Sequence, residues 1–255
     1  MGGVTTSSDS RGLVLLDSVE IAYSREGSKI ADVAVQSTTL RIEAGSFTAL
    51  LGPSGCGKSS VLRAIAGFVE PRSGSVFLDS APVHRPGRDR AVVFQQYALL
   101  PWLTARGNVE FALHGSGLDG ASRRARALEL LNSVGLEHAA DRRPDELSGG
   151  MQQRVSIARA LATEPAVLLM DEPFGALDAI TRSTMQELIS AIWKATGVTM
   201  VFVTHDVDEA LYLGQRIVLM AANPGRLVDD HDLRGVSDSD RASIRNQIIA
   251  QLGGH

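Results

Sequence analysis

The chain has 255 residues, 44% hydrophobic, 21% charged and 5% aromatic, with 25 basic and 29 acidic side chains for a net charge of −4. That length allows one or two domains with a sizeable core, and the acidic balance opposes a broad basic surface for nucleic acid. A single cysteine, Cys56, excludes an internal disulfide and any multi-cysteine zinc or iron–sulfur site, and makes a reducing compartment the default.

Residues 1–11 read as a polar Gly/Ser/Thr tail without an apolar signal segment, beside a weaker match of Met1, Gly2 and Thr6 to an N-myristoylation pattern. Alternation from Leu13 to Tyr23 and a strand-like stretch over Thr39–Ile42 predict two strands, with Gly27 in the polar turn between them. Phe47–Leu51 predicts a short buried strand. Val61, Leu62, Ile65 and Ala66 then fall at helical spacing and predict a helix over Ser59–Phe68. Val76–Leu78 and Ala91–Phe94 predict further strands. From Ala98 to about Ala162 the pattern turns helical: Ala125, Leu128 and Leu131 form a stripe on Ala121–Val134, Arg123, Arg124 and Arg126 a solvated face, and another helix opens near Ser148. Beyond Pro165, Val167–Met170 and Val198–Val203 predict central parallel strands around a helix over Ala179–Trp193. Arg216–Met220 predicts a strand, and Ser239–Leu252 a helix stopped by Gly253 and Gly254. No apolar run approaches the roughly 18 residues that a membrane-spanning helix needs. The expected fold is therefore α/β, a mostly parallel core interrupted by a helical insertion.

Three motifs carry chemistry. Gly52-Pro53-Ser54-Gly55-Cys56-Gly57-Lys58-Ser59 is a G-x-x-x-x-G-K-S loop between a predicted strand and a predicted helix. Its glycines let backbone N–H groups turn inward around phosphate oxygens at a helix N-terminus. Lys58 is expected to reach the β- and γ-phosphates and Ser59 to ligate Mg²⁺. The strand Val167–Met170 ends in Asp171-Glu172: Asp171 is placed to hold Mg²⁺, and Glu172 to orient and deprotonate the attacking water. Ser148 opens a further helix as N-cap, and Gly149 and Gly150 leave its first N–H groups accessible, a second anion-binding helix terminus.

Leu147-Ser148-Gly149-Gly150-Met151-Gln152-Gln153-Arg154, following the phosphate loop and preceding the carboxylate pair, resembles the signature of the ATP-binding cassette (ABC) ATPases. Met151 stands where the commoner pattern has Gln. The resemblance covers about residues 13–230 and implies a P-loop NTPase (RecA-like) core with an N-terminal antiparallel β subdomain and an inserted α-helical subdomain. It further implies a cassette over residues 12–235, with the helical part about 97–162 and a C-terminal helix over 236–255. ATP and Mg²⁺ are the implied ligands. The phosphate-loop residues from Gly52 to Ser60, adenine stacking on Tyr23, and Ser148, Gly149, Gly150 and Asp178 supply the implied nucleotide contacts. Gln95 matches the Q-loop glutamine that senses Mg²⁺ and water, Ala176-Leu177-Asp178 the D-loop, and His205 the switch histidine.

Partners follow from the same resemblance: a head-to-tail homodimer, separate integral-membrane permease subunits, and a periplasmic or lipid-anchored binding protein met indirectly. No nucleic acid is expected, and the implied location is peripheral, on the cytoplasmic face of the cell membrane. About 89 residues separate Lys58 from Leu147, too few for the long coiled coils of chromosome-maintenance members. Pro86-Gly87-Arg88-Asp89-Arg90, Leu99–Thr104, Asn108-Val109 and Asn223-Pro224-Gly225-Arg226 look like the taurine/nitrate/sulfonate importer ATPases. Taurine or another sulfonate is the cargo this implies, with nitrate, bicarbonate or a pyrimidine precursor as alternatives and a soluble non-transport ATPase as the other class. Trp102 and its flanking leucines are expected to line the groove for the membrane partner, and alkylation of Cys56 to block ATP binding.

Overall fold

The computed structural model describes residues 11–24 and 31–253. Its first layer is an antiparallel sheet of β1 (Val14–Ser24), β2 (Ala31–Ile42), β4 (Ser73–Leu78) and β5 (Ala81–Pro82), in the order β2-β1-β4-β5. Alternation drives it: Val14, Leu16, Val19 and Ile21 are all fully buried, and register shifts around Ser18 re-phase the strand. The second strand begins at Ala31 rather than Thr39, while the Gly27 turn and the Met1, Gly2 and Thr6 pattern lie outside the described residues.

The second sheet has six strands in the order β10-β9-β3-β8-β7-β6. They are β3 (Phe47–Leu51), β6 (Arg90–Val93), β7 (Val167–Asp171), β8 (Thr199–Thr204), β9 (Arg216–Ala221) and β10 (Arg226–Asp232). Strands β9, β3, β8, β7 and β6 run parallel, and β10 pairs antiparallel on the β9 edge. Both faces of the central strands are covered, which is why they read as unbroken apolar runs. Helices α1 (Lys58–Ala66), α5 (Ala179–Thr196), α6 (Val207–Leu213) and α7 (Asp238–Gly253) flank this sheet.

Between β6 and β7 the chain leaves the sheet and builds α2 (Ala105–Ala112), α3 (Gly120–Ser133) and α4 (Gly149–Leu161). Thr104, Asp119 and Ser148 cap them by accepting the N–H groups of Gly107, Ser122 and Met151. Val109, Leu131, Val155 and Ile157 close their shared core. The buried Asn108 accepts the Leu100 N–H at 2.8 Å and donates to the Leu100 and Thr104 carbonyls at 3.2 and 3.0 Å. That one amide pins the 99–104 segment and leaves Trp102 two-thirds exposed.

Candidate active site

The parallel register assembles the site. Leu51 lies opposite Thr204, and Asp171 opposite Val203, so the carboxyl ends of β3, β7 and β8 stand side by side. From these three ends come the glycine loop, Asp171-Glu172 and His205.

Gly55 and Gly57 sit at φ +79° and +92°, the left-handed region that turns successive N–H groups inward into an anion-binding nest. Gly57 is required twice over, since a Cβ there would lie 2.5 Å from Val35 Cγ2. The loop apex at Pro53, Ser54 and Gly55 is exposed, whereas Cys56 and Lys58 are buried. Lys58 Nζ donates to the Gly52 and Pro53 carbonyls, both at 2.8 Å, so its ammonium is satisfied by the loop's own backbone. Under the loop, the Gly225 N–H donates to the Ala34 carbonyl at 3.1 Å, and a side chain at Gly225 would overlap the Cys56 carbonyl. This gives Asn223-Pro224-Gly225-Arg226 a physical role as the floor of the loop.

Ser59 Oγ donates to Asp171 Oδ1 at 2.7 Å. These paired hard oxygens suit Mg²⁺, an ion that takes few protein ligands and fills its remaining positions with phosphate and water. Among the described residues no cluster of three or more His, Cys, Asp or Glu side chains would hold a metal by itself. Glu172 has φ +45°, a conformation that costs about 1–3 kcal/mol for a residue with a Cβ and re-aims its carboxylate off the strand axis. Its N–H donates to the Val203 carbonyl at 3.1 Å, and its Oε1 lies 3.5 Å from His205 Nδ1. A Cβ placed on Gly175 would be 3.4 Å from Gln95 Nε2 and 3.7 Å from Glu172 Oε2, so both side chains border the same small opening. Gln95 is exposed and lies two residues past the end of β6 at Val93, not at the strand terminus that the sequence pattern predicts. Tyr23 Oη donates to Ser60 Oγ at 3.1 Å, which brings its partly exposed ring to the first turn of α1.

The second glycine turn stands apart. Gly149 and Gly150 are there because neighbours press close: a Cβ on the first would lie 2.8 Å from Tyr97 Oη, and one on the second 2.5 Å from Thr181 Cγ2. Ser148 is exposed, and among the described residues no hydrogen bond joins 148–150 to the loop at 52–60. Asp178 caps α5, accepting the Ile180 and Thr181 N–H groups and the Thr181 hydroxyl at 2.8–3.1 Å. The Thr181 and Ile180 bonds hold its carboxyl below the usual carboxylate range.

Several residues at the site carry no sequence signal. Tyr97 and Ala98, next to Gln95, both take positive φ, and the Arg159 guanidinium donates to their carbonyls at 3.2 and 2.7 Å. Burial pulls that guanidinium below its ordinary value. Only a strained segment meeting a half-buried cation marks this pair, and neither is visible in one chain's residue order.

Cys56 corrects an expectation. Its thiol is fully buried in the sheet-side core, with Lys58 Nζ 3.8 Å away, and burial pushes the thiol up despite that ammonium. A thiol without solvent access and with little thiolate is a poor target for alkylation. Maleimide is therefore expected to modify Cys56 at less than about one-tenth of its rate in the urea-unfolded chain. Mass spectrometry of timed samples checks this, and equal rates would contradict the buried position.

The comparisons with known proteins agree with this geometry. The ABC transporter family profile matches residues 35–175. The taurine import ATP-binding protein TauB of Rhizobium johnstonii is 51% identical over 200 residues, covering 78% of this chain and 76% of that protein. A putative ATP-binding protein of Brucella abortus is 50% identical over 195 residues, 76% of this chain and 75% of that one. Among solved structures, the dimeric cassette MJ0796 in a post-hydrolysis state with ADP and Pi superposes with TM-score 0.78 at 37% identity, covering 87% of this chain and 99% of that one. CbiO1 from Clostridium perfringens, part of the ABC transporter complex cbiONQ, gives 0.79 at 26%, covering 95% and 98%. On the family profile and on these likenesses alike, the chain belongs to the ABC transporter family.

Proposed function

We propose that this chain is the ATP-binding and ATP-hydrolysing subunit of an importer for taurine or a related sulfonate, acting on separate membrane subunits as one half of a head-to-tail pair. The observation that carries the ATPase reading is the convergence of Lys58, Asp171, Glu172 and His205 on three adjacent strand ends. The TauB relatives support the cargo.

In this reading the nest at Gly55 and Gly57 cradles the phosphates, and Tyr23 stacks on the adenine. Lys58 leaves the Gly52 and Pro53 carbonyls to meet the γ-phosphate. Ser59 and Asp171, together with Gln95, would hold Mg²⁺, which when bound would neutralise phosphate charge. Glu172 takes the proton of the attacking water, and His205 holds the γ-phosphate in line. Ser148, Gly149 and Gly150, detached from their own chain's loop, close over the nucleotide of the second subunit, beside its Asp178. The dimeric form of MJ0796 supports this arrangement. No helix among the described residues is long and apolar enough to cross a membrane. The two-thirds exposed Trp102 and half-exposed Phe111 supply the apolar contact through which the pair docks on its membrane subunits at the cytoplasmic face.

Growth of a deletion strain on taurine as sole sulfur source, with sulfate as control, tests the proposal. The intact gene is expected to restore growth on taurine, whereas Trp102→Ala leaves ATP hydrolysis intact but restores growth weakly or not at all. Normal growth of the deletion strain on taurine, with taurine uptake at the parental rate, would remove taurine as the cargo.

A further inference from the structure

Behind His205 the chain builds a charged layer that the scheme above does not use. The Thr204 hydroxyl donates to Oε2 of the buried Glu209 at 2.6 Å, and the Asp206 N–H returns to Thr204 Oγ1 at 3.0 Å. Asp206 Oδ1 in turn caps α6, accepting the Asp208 and Glu209 N–H groups at 2.8 and 3.2 Å. Both residues flanking His205 are thus locked to Glu209. Facing them from the first turns of α5 stands Arg182. Its Nη2 donates to the Leu177 carbonyl at 3.3 Å, its Nη1 lies 3.7 Å from Asp206 Oδ2, and its Nε lies 3.7 Å from Glu209 Oε1.

One guanidinium therefore touches the 176–178 segment with one nitrogen and both carboxylates beside His205 with the other two. Two features separate this from an ordinary ion pair. The carboxylate contacts are too long for hydrogen bonds, and the Arg182 Nε is buried with no hydrogen-bond partner, so charge and proximity rather than hydrogen bonds hold the bracket. The segment it holds is also outward-facing: Asp178 is exposed and Ile180 is 83% exposed. That face is open to a second copy of this chain, and Arg182 is tied to it through the Leu177 carbonyl.

We propose that Arg182 is a positioning residue for ATP hydrolysis, tying the 176–178 segment to the Asp206/Glu209 pair and so setting where His205 stands relative to Glu172. The proposal rests on the ATPase reading given above. It makes turnover respond to contact at the 176–178 face, while nucleotide binding at the glycine loop does not.

The test compares ATP hydrolysis and ATP affinity for Arg182→Ala, Arg182→Gln and Glu209→Gln, each also in a His205→Ala background. Single-turnover measurements over hours read the slow rates. Each single variant is expected to lose about tenfold in kcat with ATP affinity changed by less than about twofold, and Arg182→Ala with Glu209→Gln to be no worse than either alone. In the His205→Ala background the Arg182 substitutions are expected to have no further effect. The same tenfold loss in both backgrounds, or a loss of ATP affinity equal to the loss of turnover, would overturn the positioning role. Arg182→Gln removes the charge and the Nη2 donor to Leu177 but keeps part of the aliphatic stem, so it decides the matter if Arg182→Ala is unstable. Absence of ATP hydrolysis by the parent chain would instead overturn the ATPase reading itself.

Discussion

Replacing Glu172 by Gln is expected to lower ATP turnover by about 10³-fold while leaving ATP affinity within about twofold of the parent. The amide has the carboxylate's shape, so it keeps the left-handed backbone at this position and the approach to His205. What it lacks is the capacity to accept a proton from water. Because the glycine loop, Lys58 and the Ser59–Asp171 pair are untouched, nucleotide still binds, and a species that binds without turning over accumulates. Phosphate release measures the first effect. Size-exclusion chromatography with ATP and Mg²⁺ measures the second, with a two-chain species expected. Turnover near the parental rate would exclude Glu172 as the base; a chain that remains single with ATP bound would count against the head-to-tail pair.

Lys58→Ala is expected to act one step earlier, reducing ATP affinity about 100-fold and turnover by about 10³-fold or more. Among the described residues its ammonium is the side-chain cation seated in the nest, and backbone N–H groups alone cannot match its charge against a triphosphate. The fold should survive, because α1 is anchored by the buried Val61, Leu62 and Ile65 on its core face rather than by Lys58. Thermal melting separates the two effects. ATP at about 100 times the parent's Kd raises the parent's Tm by mass action, and the variant should melt near the parent's nucleotide-free temperature with only a small fraction of that rise. A full ATP-dependent rise in the variant would show that Lys58 is not needed to hold the phosphates.

Much of the core was legible because its signals are local. The β3–loop–α1 unit follows from an apolar pentapeptide, glycines at fixed offsets and a 3.6-residue period, all within twenty residues. The strands β7 and β8 and the helix α5 between them were equally plain, since a strand buried on both faces must be apolar throughout. Elements held mainly by neighbours did not show. Helix α6 has seven residues, two of them acidic, and exists through its packing on β3, β8 and α7, with Arg245 pairing Asp208 at 2.7 Å. Strand β10 reads Arg226-Leu227-Val228-Asp229-Asp230-His231-Asp232, too charged to be called a strand, yet as an edge it need bury only one side and pairs with β9 alone. Helix α2, with Gly107 near its start, is short and depends on α3 and α4 for its apolar face.

By itself the sequence singled out the residues proposed to carry the chemistry: a glycine loop with Lys58, Asp171 followed by Glu172, a helix opened by Ser148, and a lone His205 after a strand. Those are properties of residue type and spacing, and local backbone geometry reads them directly. The tertiary structure decided everything that depends on residues far apart in the chain. It placed Ser59 against Asp171 across 112 positions, sealed Cys56 away from solvent, and set Arg182 between the 176–178 segment and the carboxylates beside His205. The physical reason is that a parallel ladder fixes which strand ends adjoin, and close packing fixes which side chains lose water; neither is encoded within any single motif.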